Sequence, residues 1–216
     1  MPRPRPLGDC RLYTFIDTAY LTHRSPTEIA QQLCDGGSDI IQLRAKDKGE
    51  ETIRCLAQSI APITQRAGVH FVINDYPGIA TTLPSPFLHL GQEDFFDQGH
   101  HHIRDLFPQS PRPLLGLSTH APDQCQRAVD AEADYVAIGP IYATDTKPTA
   151  KPVTLDYVKW AAGHVRIPWF AIGGINRKTL PAVLEAGAQR ICVVSDILND
   201  PHPDRACQSI RDQLTS

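Results

Sequence analysis

The chain alternates between short apolar runs and longer amphipathic stretches over most of its length. Several runs are apolar at every position, as at residues 135–138 (YVAI) and 191–194 (ICVV). A strand that is apolar on both faces is typical of a parallel sheet covered on both sides. The pattern predicts eight strands, at residues 12–16, 39–43, 70–73, 87–90, 114–117, 135–138, 169–172 and 190–194.

The stretches between these runs carry signals for helix starts and ends. Residues 25–28 (SPTE) predict a capping box with proline at the first helical position, followed by Ile29 and Leu33 at i, i+4 spacing. Residues 124–133 predict another helix that leads directly into a strand. A further helix ends at Gly187, a predicted C-cap, after an apolar stripe. That stripe consists of Leu180, Val183 and Leu184.

Eight strand–helix alternations predict an α/β protein with a single compact (β/α)8 architecture, the TIM barrel. A doubly wound open sheet is the alternative. Its dinucleotide-binding version is disfavoured because no G-x-G-x-x-G follows the first strand. The proline-rich residues 1–10 are interpreted as a flexible N-terminal arm, and residues 11–216 as the barrel domain.

Composition narrows the classes of function. The net charge is −3 and there is no basic tail, which argues against nucleic acid as a partner. No apolar run approaches the roughly 18–20 residues of a membrane span, so no membrane association is expected. The sequence leaves a homo-oligomer open.

The cysteines and histidines do not form a recognisable metal motif. The 6 cysteines contain no C-x-x-C pair, which favours reduced thiols in a cytoplasmic protein over disulfides or a zinc site. The run His100-His101-His102 is interpreted as a solvated loop or helix start. Adjacent residues on a helix point about 100° apart and cannot all face one ion.

Polar residues collect where the predicted strands end, which is where the active site of a TIM barrel forms. After the second apolar run, Gln42, Arg44 and Lys46 alternate and therefore share one side. Arginine binds phosphate oxygens in bidentate fashion and lysine as a point charge, so the run predicts a phosphate cradle. The alternative is a solvated strand end without a function.

Two carboxylates follow the next two strands. Asp75 comes after Asn74 at the third strand end, and Asp94 lies in the segment after the fourth. Two such carboxylates suit a Mg²⁺ that keeps waters and also binds substrate phosphates. The alternatives are a turn residue for Asp75 and a helix N-cap for Asp94. Together with Arg44 and Lys46, the pair predicts a diphosphate site with a metal.

The last two strand ends predict a second anion site. Gly173-Gly174 and Val194-Ser195 each lie between a strand and a helix. Backbone N–H groups at such junctions bind phosphate, and glycine permits its close approach. The alternative for the glycine pair is a tight turn. Two anion sites indicate two phosphorylated substrates or one extended substrate.

Seven segments resemble, in order, the motifs of the thiamine-phosphate synthases: QLRAK, INDY, HLGQED, GLSTH, GPIYATDTK, AIGGI and VVS. The resemblance covers nearly the whole chain. It implies a TIM barrel that joins hydroxymethylpyrimidine diphosphate to thiazole phosphate with Mg²⁺ as cofactor and releases pyrophosphate. Thiazole tautomerases, a sister branch of the same fold, share the later motifs but generally lack the full Q-x-R-x-K run and the paired aspartates.

The resemblance also implies roles for single residues. Implied ligands of the diphosphate are Gln42, Arg44, Lys46, Asn74 and Lys147. Implied Mg²⁺ ligands are Asp75 and Asp94, and Ser118 corresponds to a serine near the pyrimidine ring. Positions around the thiazole phosphate are Thr144, Thr146, Gly174, Val194 and Ser195. The residues expected to act in catalysis are Arg44, Lys46, Ser118 and Lys147.

One segment departs from the family pattern. The family often has a longer, more basic flexible loop after the position of Lys147, whereas residues 148–152 are short, contain two prolines and carry only Lys151 as a cation. Prolines restrict the backbone, so closure of this loop over the substrates is expected to differ.

The expected mechanism is dissociative. Cations and Mg²⁺ stabilise the charge that grows on the diphosphate as its C–O bond breaks, and the thiazole nitrogen then attacks the pyrimidine methylene cation. One alternative is a thiazole tautomerase with His120 as general acid and base. Another is a non-catalytic barrel that senses a phosphorylated ligand, which would not need the paired aspartates.

Overall fold

Eight parallel strands form one closed barrel in chain order, β1 to β8. The computed structural model describes residues 2–84, 87–144 and 151–215. The strands are β1 Leu12–Asp17, β2 Ile40–Arg44, β3 His70–Asn74, β4 Phe87–Leu90, β5 Leu114–Thr119, β6 Tyr135–Ile138, β7 Trp169–Ala171 and β8 Ile191–Val193. All eight predicted strands are present, and the prediction of a single (β/α)8 barrel is confirmed.

Helices separate the strands and cover the outside of the barrel. They are α1 Pro26–Asp35, α2 Glu50–Ala67, α3 Pro77–Ala80, α4 Gln92–Phe96, α5 Ile103–Leu106, α6 Pro122–Asp130, α7 Thr154–His164, α8 Leu180–Glu185, α9 Ser195–Leu198 and α10 Pro203–Thr215. Among the described residues, none of these helices is both long and apolar enough to cross a membrane.

The helix signals in the sequence are partly correct. Helix α1 begins at Pro26 as predicted, but the Ser25 hydroxyl lies 2.7 Å from the Thr27 hydroxyl and caps no backbone N–H group, so the predicted capping box is wrong. The Ser25 hydroxyl has the Thr27 hydroxyl as its partner instead of a backbone N–H group. Helix α6 begins earlier than expected, at Pro122. The C-cap of helix α8 is Ala186, one residue before the predicted Gly187, which follows it with φ +102°.

Two apolar clusters hold the barrel together, one on each face of the sheet. The inner cluster fills the barrel with aromatic side chains, including Tyr13, Phe15, Tyr135 and Phe170. The outer cluster packs the strands against the helices. Because side chains alternate along a strand, Tyr13 and Phe15 point inward while the outer cluster takes Leu12 and Ile16.

At the amino end of the barrel, Asp39 is a buried anchor that joins three parts of the chain. Its carboxylate accepts N–H bonds from Arg11 and Leu12 at 2.7 and 3.0 Å, and it pairs with the guanidinium of Arg211 on α10. The N-terminal segment also reaches it, since Arg5 Nε lies 3.4 Å from Asp39 Oδ1. These contacts lie at the end of the barrel opposite to the predicted site.

All six cysteines are free, as predicted, and four of them are buried. The histidine run lies at a helix start, also as predicted. His102 is the N-cap of α5, and its Nδ1 accepts the N–H of Arg104 at 3.0 Å. Asp105 accepts the N–H groups of His101 and His102, each at 2.8 Å. The run is therefore part of a helix cap.

Candidate active site

The carboxyl ends of the strands open into one cavity that collects most of the predicted site residues. Because parallel strands of a closed barrel all end at the same rim, residues far apart in sequence meet there. The predicted residues that line the cavity are Gln42, Arg44, Lys46, Asn74, Asp75, Asp94, Ser118, Thr144, Gly174, Val194 and Ser195. Two further predicted residues, Thr146 and Lys147, lie outside the described residues.

Arg44 is held by a buried carboxylate on the neighbouring strand. Asp17 pairs with Arg44 in the β1–β2 register, and Arg44 Nη1 lies 2.7 Å from Asp17 Oδ2. Asp17 is 1% exposed, and its other oxygen accepts the N–H of Ala19 at 3.1 Å. One N–H group of the guanidinium is therefore bound to Asp17, which restrains the side chain and leaves the other N–H groups for a ligand. Asp17 carries no signal of this role in the sequence alone.

Lys46 and Asp75 form an ion pair at the rim, with Nζ 3.3 Å from Oδ2. Asp75 has φ +68°, a left-handed backbone conformation that few residue types adopt easily. Burial raises the pKa of the Asp75 carboxyl above its usual value of 3.8, the nearby Lys46 lowers it, and the charge of Asp94 raises it further. The two carboxylates are thus close enough to interact.

Asp94 lies in the first turn of α4, whose N-cap is Gly91, so Asp94 is not the cap. A Cβ atom at Gly91 would lie 2.7 Å from Asp94 Oδ2, so glycine makes room for this carboxylate. Two interacting carboxylates at the rim fit a hard cation such as Mg²⁺. Within the described part of the chain, no group of three or more histidine, cysteine or acidic side chains could hold a metal by itself. A cation on this pair would need further oxygen ligands from water or substrate.

Five side chains form a continuous row of hydrogen bonds across the bottom of the cavity. Gln42 Nε2 donates to the Tyr13 hydroxyl at 2.7 Å, and this hydroxyl lies 3.1 Å from that of Tyr135. The Tyr135 hydroxyl lies 3.1 Å from His89 Nδ1, and His89 Nε2 lies 2.9 Å from Ser118 Oγ.

His89 is neutral in this environment. Burial lowers the pKa of His89 to about 4, and the charge of Lys46 adds to this effect. In the sequence, His89 stands only as the first residue of the HLGQED motif, and Tyr13 and Tyr135 were not predicted as site residues. Their inward orientation on β1, β4 and β6 was the available signal.

His120 also lines the cavity, and its tautomer is defined by a backbone contact. Its Nδ1 lies within hydrogen-bond distance of the Gly139 carbonyl oxygen. A carbonyl only accepts, so Nδ1 carries a proton here. The His120 N–H donates to Gln124 Oε1 at 2.7 Å, which fixes the backbone at this strand end.

The opposite side of the cavity includes two glycines, Gly173 and Gly174, together with Val194 and Ser195. Gly173 and Gly174 have φ +101° and +65°. A Cβ atom at Gly174 would lie 2.7 Å from Tyr142 Cβ and 2.8 Å from the Ala143 carbonyl oxygen. Ser195 begins α9 after Val194. Glycine is therefore required by both the conformation and the space.

Charged side chains tie the β7 and β8 loops together behind this backbone. Arg177 donates to Asp196 Oδ2 through its backbone N–H at 3.1 Å and its Nε at 3.0 Å. Its Nη2 donates to Asp200 Oδ2 at 3.1 Å. Asn176 Nδ2 donates to the Gly174 carbonyl at 3.3 Å. These bonds hold the two loops in one arrangement.

Comparison with known proteins gives a consistent result. A family model described as thiamine monophosphate synthase matches residues 12–197. The thiamine-phosphate synthase of Lawsonia intracellularis is 36% identical over 208 residues, which cover 95% of this chain and 93% of that protein. An enzyme of the same name from Thermus thermophilus is 41% identical over 184 residues, covering 83% of this chain and 84% of that protein.

Solved structures give the same fold. Thiamine phosphate pyrophosphorylase from Pyrococcus furiosus superposes with a TM-score of 0.85 at 23% identity, covering 97% of each chain. A 3-hexulose-6-phosphate synthase superposes with a TM-score of 0.64 at 18% identity, covering 94% of this chain and 98% of the other. At these identities the likeness concerns the barrel alone.

Proposed function

The chain belongs to the thiamine monophosphate synthase family and is an enzyme that forms thiamine phosphate, and we propose that it does so by joining hydroxymethylpyrimidine diphosphate to a thiazole phosphate. The observation that carries the choice of substrates is the composition of the cavity. Cationic side chains and two carboxylates line one side, and glycine-rich backbone lines the other. Such a cavity suits a diphosphate with a metal and a monophosphate at the same time.

The β2–β4 side is proposed to bind the diphosphate. Arg44, whose side chain is restrained by Asp17, would bind phosphate oxygens through its other N–H groups. Lys46 would turn from Asp75 towards the diphosphate, since it is 56% exposed and able to move. Gln42 and Asn74 line the same side and would donate amide N–H groups.

Mg²⁺ is the proposed cofactor, and Asp75 and Asp94 would hold it. The fit rests on the donors themselves, because carboxylate oxygens are hard ligands and the two groups are close enough for one to shift the pKa of the other. When bound, the ion would neutralise charge on the leaving diphosphate. The raised pKa of Asp75 fits a carboxylate whose negative charge is fully neutralised only when a cation binds.

The β7–β8 side is proposed to bind the thiazole phosphate. Backbone N–H groups around Gly174, Val194 and Ser195 would surround the anion, and Thr144 lines the same region. The Arg177 bonds to Asp196 and Asp200 would keep the two loops preorganised. Thr146 and Lys147 are proposed from the family resemblance to complete the two phosphate sites.

The proposed chemistry requires no protein nucleophile. The C–O bond to the diphosphate breaks, and its electron pair leaves with pyrophosphate, while Arg44, Lys46 and Lys147 stabilise the growing negative charge. The thiazole nitrogen then donates its lone pair to the pyrimidine methylene carbon and forms the C–N bond. Ser118 would orient the pyrimidine ring. Holding both substrates in one cavity supplies much of the acceleration.

We also propose a cytoplasmic location, which is supported by the six free cysteines. We further propose that the chain forms a homo-oligomer, and light scattering of the purified protein tests this.

The direct test is to mix the purified protein with both substrates and to measure pyrophosphate release with and without Mg²⁺. We expect release only when both substrates and the ion are present. Incubation with a thiazole carboxylate phosphate alone serves as a control for tautomerase activity. Conversion of the thiazole alone, without pyrophosphate release from the pair, would contradict the proposal.

A further inference from the structure

We propose that Gln42, Tyr13, Tyr135 and His89 form a directed hydrogen-bond relay that makes Ser118 a hydrogen-bond donor towards a ring nitrogen of the substrate. Within the relay all four act through Ser118 as positioning residues, and Gln42 keeps its second amide N–H for the diphosphate. The identity of the ring, an aminopyrimidine, rests on the proposed function. The direction of the relay does not.

The direction follows from the first donor. The amide nitrogen of Gln42 can only donate, so the Tyr13 oxygen accepts at 2.7 Å and its proton is free for the Tyr135 oxygen at 3.1 Å. The proton of Tyr135 then goes to His89 Nδ1 at 3.1 Å. A neutral imidazole that accepts at Nδ1 carries its proton on Nε2, which donates to Ser118 Oγ at 2.9 Å.

Burial enforces this order. Gln42, Tyr13 and Tyr135 are 2%, 1% and 0% exposed, so water is not freely available as a substitute partner. A buried polar group without a partner is unfavourable, and bonds in a chain polarise one another. One bond can therefore reverse only if all of them reverse.

The barrel makes room for the central member of the relay. A Cβ atom at Gly116 on β5 would lie 2.0 Å from Tyr135 Cζ and 2.4 Å from its hydroxyl oxygen. The absent side chain thus allows the Tyr135 ring to cross from β6 towards Tyr13 and His89. The ring also packs edge-on against Phe170, with centroids 5.7 Å apart. This packing fixes where the hydroxyl lies.

The relay has a consequence for specificity. A serine hydroxyl that accepts from His89 has its own proton left for the cavity, which Ser118 lines. It therefore favours an acceptor at that place over a C–H group, which would leave the hydroxyl proton unpaired. A nitrogen heteroaromatic ring presents such an acceptor in its plane. A ligand that lacks this acceptor leaves the serine proton unpaired. This lowers its affinity more than the loss of an apolar contact would.

The first experiment measures the tautomer of His89 directly, by ¹⁵N–¹H correlation spectra of the full chain with labelled histidine. The chain has 9 histidines, and the signals of His89 are assigned by their loss in His89→Gln. We expect Nε2 protonated and Nδ1 unprotonated. In Gln42→Glu at mildly alkaline pH, a carboxylate can only accept, so the relay should reverse to the Nδ1–H form. A wild-type Nδ1–H tautomer would overturn the proposal.

The second experiment measures ring recognition. Two analogues of the aminopyrimidine diphosphate, each with one ring nitrogen replaced by C–H, are compared with the parent as ligands by calorimetry. We expect the wild type to bind one analogue about tenfold more weakly than the parent, which corresponds to about 1.4 kcal/mol. Tyr135→Phe and Ser118→Ala should both lose this discrimination.

Tyr157→Phe is the matched control. Its buried hydroxyl oxygen lies 2.8 Å from both Thr119 Oγ1 and the Ala121 carbonyl oxygen, and these partners are not members of the relay. It should keep both the tautomer and the discrimination. Tyr135→Phe with unchanged discrimination would overturn the proposal. A wild type with the Nε2–H tautomer that binds neither the parent nor the analogues would instead refute the proposed substrate and leave the direction of the relay established.

Discussion

The two sides of the cavity are built from different parts of the polypeptide. On the β2–β4 side, charged side chains neutralise one another, as in the pairs Arg44–Asp17 and Lys46–Asp75. On the β7–β8 side, the cavity wall includes the backbone of the glycine pair, with Gly174 at φ +65°. Both are proposed to bind phosphate groups, yet one does so with side-chain charges and the other with N–H groups.

The difference predicts how each side responds to mutation. Shortening a side chain leaves the backbone conformation unchanged. Substitutions on the β2–β4 side should therefore affect function more than folding. Added atoms at Gly174 push against Tyr142 and Ala143, so changes there should affect folding and function together. The following predictions test this contrast.

The largest effect is expected on the charged side. Asp94→Ala should lower Mg²⁺-dependent kcat/KM by about 10³-fold, because the metal then loses one of two protein carboxylates and the diphosphate loses charge stabilisation. Asp75→Ala should have a similar effect. Steady-state pyrophosphate release over a range of Mg²⁺ concentrations measures it, and circular dichroism should show an intact fold.

Asp97→Ala is the matched control for this change. Asp97 follows α4, is exposed, and does not line the cavity. It should keep near wild-type turnover. Near-normal rates of Asp94→Ala at limiting Mg²⁺ would show that the metal assignment is wrong.

The next effect concerns the backbone side. Gly174→Val should weaken binding of thiazole phosphate by about 100-fold, because a branched side chain displaces the loop, and a displacement of about 1 Å can cost that much. Binding of the diphosphate substrate should change far less. Calorimetry with each substrate separately measures both.

Gly163→Val in α7 controls for the substitution itself, since a Cβ atom there meets nothing within 4 Å and the residue is exposed. It should leave both affinities unchanged. A folded Gly174→Val protein that binds thiazole phosphate normally would mean that the glycine pair is only a turn.

A smaller effect tests the geometry of the cation rather than its charge. Arg44→Lys keeps the charge but loses the planar fork, so diphosphate affinity should fall about tenfold while thiazole-phosphate affinity stays constant. Arg112→Lys is the control, because Arg112 also uses its fork on a carboxylate, that of Asp134, outside the cavity. Equal weakening of both substrates by Arg44→Lys would contradict the two-site model.

The charged side was the more predictable one from sequence. Gln42 and Arg44 alternate on β2 and Lys46 follows its end, so period-2 geometry was enough to place them together. Asp17 was missed because its role depends on the register between β1 and β2, which places it beside Arg44. Local periodicity contains no information on register.

The row from Gln42 to Ser118 was missed for a related reason. Tyr13, His89 and Tyr135 lie on three different strands, and they meet only because the barrel closes. Each, taken alone, looks like a residue of a buried strand. The eight strands were predictable because each carries its own apolar pattern, whereas contacts across the barrel depend on all eight together.

The smallest expected effect is a change in the free energy of unfolding. It should separate the two sides of the cavity most sharply. In the folded protein the pKa of Asp75 is raised above 3.8, chiefly by burial. The folded state therefore holds this proton more tightly than the unfolded chain, and the free energy of unfolding falls as the pH rises through the interval between these two pKa values. At neutral pH the ionised carboxylate is a cost.

Asp75→Asn removes that cost and also suits the left-handed backbone at φ +68°, which asparagine tolerates well. The lost ion pair with Lys46, which is 56% exposed, contributes little. We expect a gain of about 0.5 kcal/mol in unfolding free energy at neutral pH, with turnover lost. Urea denaturation at neutral and acidic pH measures it, and the gain should vanish below pH 3.8. Gly174→Ala, in contrast, should lower both the free energy of unfolding and the affinity for thiazole phosphate. A clearly less stable Asp75→Asn protein at neutral pH would show that the charged side supports the fold as the glycine side does.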